Sequence, residues 1–195
     1  MLLDKAVFLD RDGTIIEQMG YINHFSRIKI FPFAVEAIRL FRQANFKIIV
    51  VTNQAGVAKG YLSESLLNEM HERMLSQFET MGAKIDRLYY CPHHPKEGKG
   101  EYKKDCNCRK PKTGMIDKAV KELDIDLKRS IVIGDRDSDI EMAHRAQIRS
   151  AFVLTGYGTG EYVNSKGALP FKPTFIFNDL LQAAQTIVHL DLATN

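Results

Sequence analysis

Apolar and polar positions along the chain fall into blocks that switch between two periods. "KAVFL" (5–9), "FKIIVV" (46–51), "DRLYY" (86–90), "SIVIG" (130–134), "SAFVL" (150–154) and "TFIF" (174–177) are short apolar runs, several of them β-branched, and predict strands. Between them, "FAVEAIRLFRQA" (33–44), "SESLLNEMHERMLSQFETMG" (63–82), "TGMIDKAVKELD" (113–124), "SDIEMAHRAQ" (138–147) and "DLLQAAQTIVHL" (179–190) carry apolar residues at helical spacing. Ser63 is the expected N-cap of the second of these, and Gly82 its end. Repeated strand–helix units predict an α/β fold, a three-layer Rossmannoid sandwich whose mainly parallel sheet is covered by helices on both faces. No internal repeat interrupts the alternation, and residues 1–195 read as one domain.

In such a sheet, ligands sit beyond the carboxyl ends of the strands. The unusual chemistry of this chain collects there. "VFLDRDGTI" ends an apolar run in Asp10 and Asp12, and "GDRDSD" follows another strand with Asp135 and Asp139. Carboxylates placed so close repel unless a cation joins them, and Mg²⁺ held by one or two carboxylates and phosphate oxygens is the expected outcome. A carboxylate beside Mg²⁺ can attack phosphorus, and a second one two residues on can move the proton. Thr52 and Asn53 in "VVTNQAG" offer a hydroxyl and an amide to phosphate oxygens. Arg109 and Lys110 in "CRKPKTG" offer two cations. Each motif alone also reads as an acidic turn, a helix cap or a solvated basic loop; it is their order that argues for chemistry.

"FLDRDGTI", "VVTNQ", "CRKPKTG" and "VIGDRDSD", in this order, resemble the four motifs of the haloacid dehalogenase (HAD) phosphohydrolase superfamily. The resemblance implies Asp10 as nucleophile and Asp12 as general acid/base. It implies that Thr52 and Lys110 stabilise the transferring phosphoryl group, and that Asp135, Asp10 and the backbone carbonyl of Asp12 hold Mg²⁺. Asp139 is expected to support this site from behind.

The only three cysteines, Cys91, Cys106 and Cys108, lie in one Gly- and Lys-rich stretch without periodicity. With His93 they pair as Cys91-x-His93 and Cys106-x-Cys108 across a 12-residue gap, a Cys₃His set of the structural zinc kind. His94 is the alternative to His93. Free thiols in an exposed loop would oxidise, and this loop has no apolar core of its own. The expected zinc would fold a loop of about 91–109 and hold Arg109 and Lys110 over the site. Within the superfamily, "CPHHP…CNCRKP" resembles the zinc-bearing heptose 1,7-bisphosphate phosphatases and the related histidinol-phosphate phosphatases. The first of these resemblances implies substrate contacts at Gln18, Met19, Gly20, Tyr21, Thr52, Asn53, Gln54, Ala55, Arg109, Lys110 and Arg136. Arg136 stands where the best-known relatives have Lys, a departure that bears on how a phosphate is gripped.

A net charge of +3 is too mild to argue for nucleic acid and leaves room for an anionic small molecule, which the resemblance implies is a sugar bisphosphate. Arg109 and Arg136 favour a second negative charge over the cationic amine of histidinol. A non-catalytic zinc module would need neither Asp10 nor Asp12. No run approaches the roughly 18 apolar residues of a membrane span, and the N-terminal apolar run contains acids, so a cytoplasmic protein is expected. The short intervals after Asp12 and Thr52 predict no large cap domain, and a monomer is expected. Residues 156–173 read as loop.

Overall fold

The computed structural model describes residues 3–193, the side chain of residue 192 excepted. Six parallel strands form one sheet: β1 (Ala6–Leu9), β2 (Lys47–Asn53), β3 (Arg87–Cys91), β4 (Ile131–Gly134), β5 (Arg149–Val153) and β6 (Phe175–Phe177). Their order is β3-β2-β1-β4-β5-β6, so the winding reverses between β1 and β4. A crevice opens at that reversal, outside the carboxyl ends of the strands.

Period-two alternation sends successive side chains to opposite faces. Val7, Leu9, Ile48, Val50, Ile131 and Ile133 meet α1 (Pro32–Gln43), α2 (Glu64–Thr80) and α6 (Leu180–Ala193). Ala6, Phe8, Ile49, Val51 and Val132 meet α3 (Gly114–Leu123) and α4 (Asp137–Arg145). A strand covered on both faces has no room for polar positions, which is why β1, β4 and residues 48–51 of β2 read as unbroken apolar runs. Local signals set the helix starts: Pro32 opens α1, and the Ser63 side chain accepts from Leu66 N at 3.1 Å to cap α2.

Two expectations need correction. β2 runs through Thr52 and Asn53, which therefore lie on the strand rather than after it. Its pairing with β3 continues to Asn53↔Cys91, so the sheet register itself brings the first cysteine to the site. The segment expected as loop from residue 156 contains a helix, α5 (Gly158–Asn164). Glycines hide it in sequence; Gly158 is required there because a Cβ would stand 1.9 Å from Val153 O. Between Asp12 and α1 the only regular element is one 3₁₀ turn, Phe25–Arg27, so no cap domain intervenes among the described residues. No helix among them is long and apolar enough to cross a membrane.

Candidate active site

The exits of β1 and β4 bring Asp10, Asp135 and Asp139 together, with one carboxylate oxygen of each within 4.8 Å of the others. All three are buried. Asp10 N donates to Ile133 O at 3.0 Å, which continues the β1–β4 ladder and fixes the exit angle. Lys110 reaches in from the loop before α3. Its Nζ meets Asp10 Oδ1 at 2.7 Å, Asp139 Oδ1 at 2.6 Å and Val51 O at 3.0 Å. One ammonium cannot balance three carboxylates. Burial, moderated by Lys110, pushes the Asp10 carboxyl up to about 6. Burial and the charges of Asp10 and Asp139 push Asp135 up to about 8. Burial pulls Lys110 down, but Asp10 and Asp139 outweigh it and hold its pKa above the ordinary lysine value.

The cradle around Asp135 is built of backbone. Tyr157 N donates to its Oδ2 at 2.8 Å, while its Oδ1 is buried without a hydrogen-bond partner. A Cβ on Gly13 would fall 2.3 Å from Oδ2, and one on Gly156 2.1 Å. Both glycines also hold positive φ, +87° and +56°, so neither position accepts a side chain without strain. A buried carboxylate oxygen without a donor, beside two more acids, fits a hard divalent cation.

Asp12 is absent from this acid cluster. Arg11, itself buried, grips it through Nε at 3.0 Å and Nη2 at 2.9 Å, and Gln54 Nε2 adds a bond at 2.8 Å. Gln54 Nε2 also reaches Thr52 Oγ1 at 2.9 Å. Behind Arg11, its Nη1 lies 2.8 Å from His71 Nε2 on α2. Burial and the Arg11 charge push His71 down to about 2, so the ring is neutral and serves Arg11 as an acceptor. The expectation that Asn53 offers its amide to phosphate needs correction. Its Oδ1 instead accepts from Lys110 N at 3.0 Å and its Nδ2 donates to Lys110 O at 3.1 Å. Asn53 thus fixes the Lys110 backbone.

Cys91, His93, Cys106 and Cys108 form a second cluster. Cys91–Cys106 and Cys106–Cys108 sulfurs lie 3.4 and 3.2 Å apart, and His93 Nδ1 lies 3.3 Å from Cys108 Sγ and 3.7 Å from Cys91 Sγ. These spacings exceed the about 2.05 Å of a disulfide. They approach the edges of a tetrahedron with Zn–S bonds of about 2.3 Å. The hydrogen bond from Cys91 brings the Cys108 thiol down to about 5, the thiolate form that metals bind. His94 points elsewhere: its Nδ1 accepts from Lys96 N and Glu97 N at 3.3 and 2.8 Å. The cluster is tied to the first site directly, since Arg109 Nη1 donates to His93 O at 3.0 Å. Tyr102 in the same loop donates to Glu64 of α2 at 2.8 Å.

A cavity of about 440 Å³ opens beside Asp10 and Lys110. Every sequence-predicted substrate residue lines it except Met19, whose carbonyl accepts from Arg27 Nη2 at 2.7 Å. Asp10 and Asp12 open onto it, as do Ser138 and Tyr157, which the motifs in the sequence do not single out.

A family profile described as HAD-hydrolase-like matches residues 107–183. The D-glycero-beta-D-manno-heptose-1,7-bisphosphate 7-phosphatase of Haemophilus influenzae is 39% identical over 165 residues, which is 85% of this chain and 88% of that one. The D-glycero-alpha-D-manno-heptose-1,7-bisphosphate 7-phosphatase of Photorhabdus laumondii is 37% identical, over 80% of this chain and 86% of that one. The chain belongs to the heptose-bisphosphate phosphatase family of HAD-like hydrolases. A crystal structure of D,D-heptose 1,7-bisphosphate phosphatase from B. bronchiseptica, complexed with magnesium and phosphate, superposes with a TM-score of 0.83 at 29% identity, over 95% of this chain and 99% of that one. The protein is therefore an enzyme, a phosphatase acting on a phosphoric monoester.

In this phosphatase the residues that sequence reasoning missed are the ones that hold others in place. Arg11 and His71 stand behind Asp12, and Tyr157 and Gly156 behind Asp135. The "TGYGTG" run after β5 was the available signal, since glycines at a strand exit mark a close backbone approach.

Proposed function

We propose that the protein removes the 7-phosphate of D-glycero-D-manno-heptose 1,7-bisphosphate, with Mg²⁺ and through a phosphorylated Asp10, in heptose-nucleotide synthesis for bacterial surface glycans. One observation carries the reading: a single cavity holds the buried Asp10–Lys110 pair together with two more accessible guanidiniums, Arg109 and Arg136. That arrangement suits a small substrate with a reacting phosphate and a second anionic group. A cationic amine, as in histidinol phosphate, would meet like charge there.

The Asp10 carboxylate attacks phosphorus and expels the sugar oxygen. Lys110 and the Thr52 hydroxyl take up charge on the phosphoryl oxygens. Asp12 releases Arg11 and takes up a proton from solvent as substrate enters, gives it to the leaving oxygen, then draws one from the water that attacks the acyl phosphate, which frees inorganic phosphate and the Asp10 carboxylate. Mg²⁺, held by Asp10, Asp135 and the Asp12 carbonyl, would offset the acid cluster and polarise the phosphoryl group. Cys91, His93, Cys106 and Cys108 would bind Zn²⁺; four protein ligands leave no open position, so its role is to order the loop that carries Arg109 and Lys110.

The test is phosphate release from the two heptose 1,7-bisphosphate anomers, histidinol phosphate and fructose 1,6-bisphosphate. The expected result is a preference of about a hundredfold in kcat/KM for one heptose anomer. A preference for histidinol phosphate would overturn the substrate and keep the chemistry.

The acid cluster also sets a pH dependence. In the unfolded chain the carboxyls of Asp10 and Asp135 titrate near 3.8, whereas in the folded protein they reach about 6 and about 8. Between those values the metal-free native state binds more protons than the unfolded one, so these groups contribute less stability as pH rises. Mg²⁺ requires the ionised forms. The rise in Tm produced by saturating Mg²⁺ should therefore be larger at about pH 8.5 than at about pH 5.5. A shift of equal size at both would contradict this site.

A further inference from the structure

Arg136 is an odd residue to find at rest on a cavity wall. It sits between Asp135 and Asp137 and close in sequence to Asp139, and its own main-chain N–H donates to Asp139 Oδ2 at 3.2 Å. Left to Coulomb attraction, a guanidinium there would fold back onto the acid cluster and neutralise it. It does not. Its Nε pairs with Glu161 Oε1 at 2.5 Å, and its Cζ lies 4.5 Å from the centroid of the Tyr157 ring. Neither Nη has a hydrogen-bond partner among the described residues, and the side chain is 45% exposed and lines the cavity.

Both partners come from the segment that the sequence motifs leave without a role. Tyr157 precedes α5, and Glu161 lies within it. Glu161 also engages α4, where its Oε2 accepts from Asp137 N at 2.6 Å and so satisfies a free amide at the helix start. Tyr157 likewise makes two contacts, since its N–H holds Asp135 while its ring lies beside Arg136. The same few residues thus fix a carboxylate of the acid cluster, Asp135, and the guanidinium of the residue that follows it.

We propose that Glu161 and Tyr157 are positioning residues for substrate selection: they hold Arg136 on the cavity wall with both Nη groups free to grip the anionic group of the substrate that does not react. A carboxylate on Nε and an aromatic face leave the outer edge of the guanidinium pointing away from both, the fork geometry that matches phosphate. The inference rests on the bisphosphate reading above and adds the device that makes one of its two arginines selective. It assigns α5 a role in specificity, at a distance from the reacting phosphorus.

Glu161→Gln tests it, because the amide oxygen can still accept from Asp137 N while the negative charge facing Arg136 is lost. Kinetics would be measured on heptose 1,7-bisphosphate and on para-nitrophenyl phosphate, which has no second anionic group, for the wild type, E161Q, R136M and the double variant. E161Q should raise KM for the bisphosphate by about tenfold with little change in kcat, and should narrow the preference over the monoester by the same factor. Tyr157→Ala should act in the same direction and Tyr157→Phe should not. In the R136M background, E161Q should add nothing further, since its effect passes through Arg136. Equal losses on both substrates, or losses in E161Q and R136M that add, would show Glu161 to be a structural cap of α4 and overturn the proposal. A wild type that does not prefer the bisphosphate would instead bring down the functional reading, and the proposal with it, before any variant is compared.

Discussion

Replacing Asp10 by Asn should lower kcat by at least about a thousandfold, because the group proposed to attack phosphorus is gone and no neighbour can take its place. Asp135 is held by Tyr157 N, Asp139 by Lys110 and Arg136 N, and Asp12 by Arg11 and Gln54. The fold should survive. An Asn at position 10 can still accept from Lys110 Nζ, which keeps Asp139 as its ion partner. It also removes one of three buried acids, so the metal-free variant should melt at or above the wild-type temperature. The measurements are steady-state phosphate release, thermal melting without Mg²⁺ and zinc content. Residual kcat within tenfold of the wild type would exclude Asp10 as the nucleophile. A large fall in Tm would trace the lost activity to unfolding instead.

Loss of zinc should be the other large effect. The 91–109 stretch has few apolar anchors; among the described residues Cys91 and Pro92 are its buried apolar side chains. Its order depends on the four ligands, the Tyr102–Glu64 bond, the Lys59–Glu97 ion pair at 3.0 Å and the seating of Gly98 against Ala58 O. Surface ion pairs contribute about 1 kcal/mol at most, so the proposed zinc would be the dominant constraint. Chelation, or Cys106→Ser, should release His93 O from Arg109 and free the loop on which Lys110 depends. We expect kcat/KM to fall by at least about tenfold, with activity restored to the chelated wild type, though not to C106S, by added Zn²⁺. Full activity in a zinc-free protein would show that the loop holds itself.

The sheet was legible because its central strands are buried on both faces and admit only apolar residues along most of their length, and because the two acid-bearing motifs follow such runs. The same rule pointed to Asp10 and Asp135 without any knowledge of their distances, whereas Lys110, on the loop before α3, follows no strand and was reached through the resemblance of its motif. Legibility failed where a residue's role depends on a partner far along the chain. Arg11 reads as one more charge in an acidic turn until α2 brings His71 to it, 60 residues later. Asn53 reads as a phosphate ligand until the Lys110 backbone takes both ends of its amide. α5 was hidden by its glycines, which usually mark a loop; here close packing on Val153 demands Gly158, as packing on Asp135 demands Gly156 just before the helix. Met19 shares a motif with Gln18 and Gly20, yet its backbone is drawn towards Arg27 and it does not reach the cavity.

The most direct test of the proposed activity is to follow heptose 1,7-bisphosphate turnover by ³¹P NMR and identify which phosphate remains on the sugar. With Mg²⁺ present, the expected result is loss of the 7-phosphate signal, growth of inorganic phosphate in equal amount, and an intact 1-phosphate. Retention of the 7-phosphate with loss of the 1-phosphate, or no release from the bisphosphate while histidinol phosphate is hydrolysed, would contradict it.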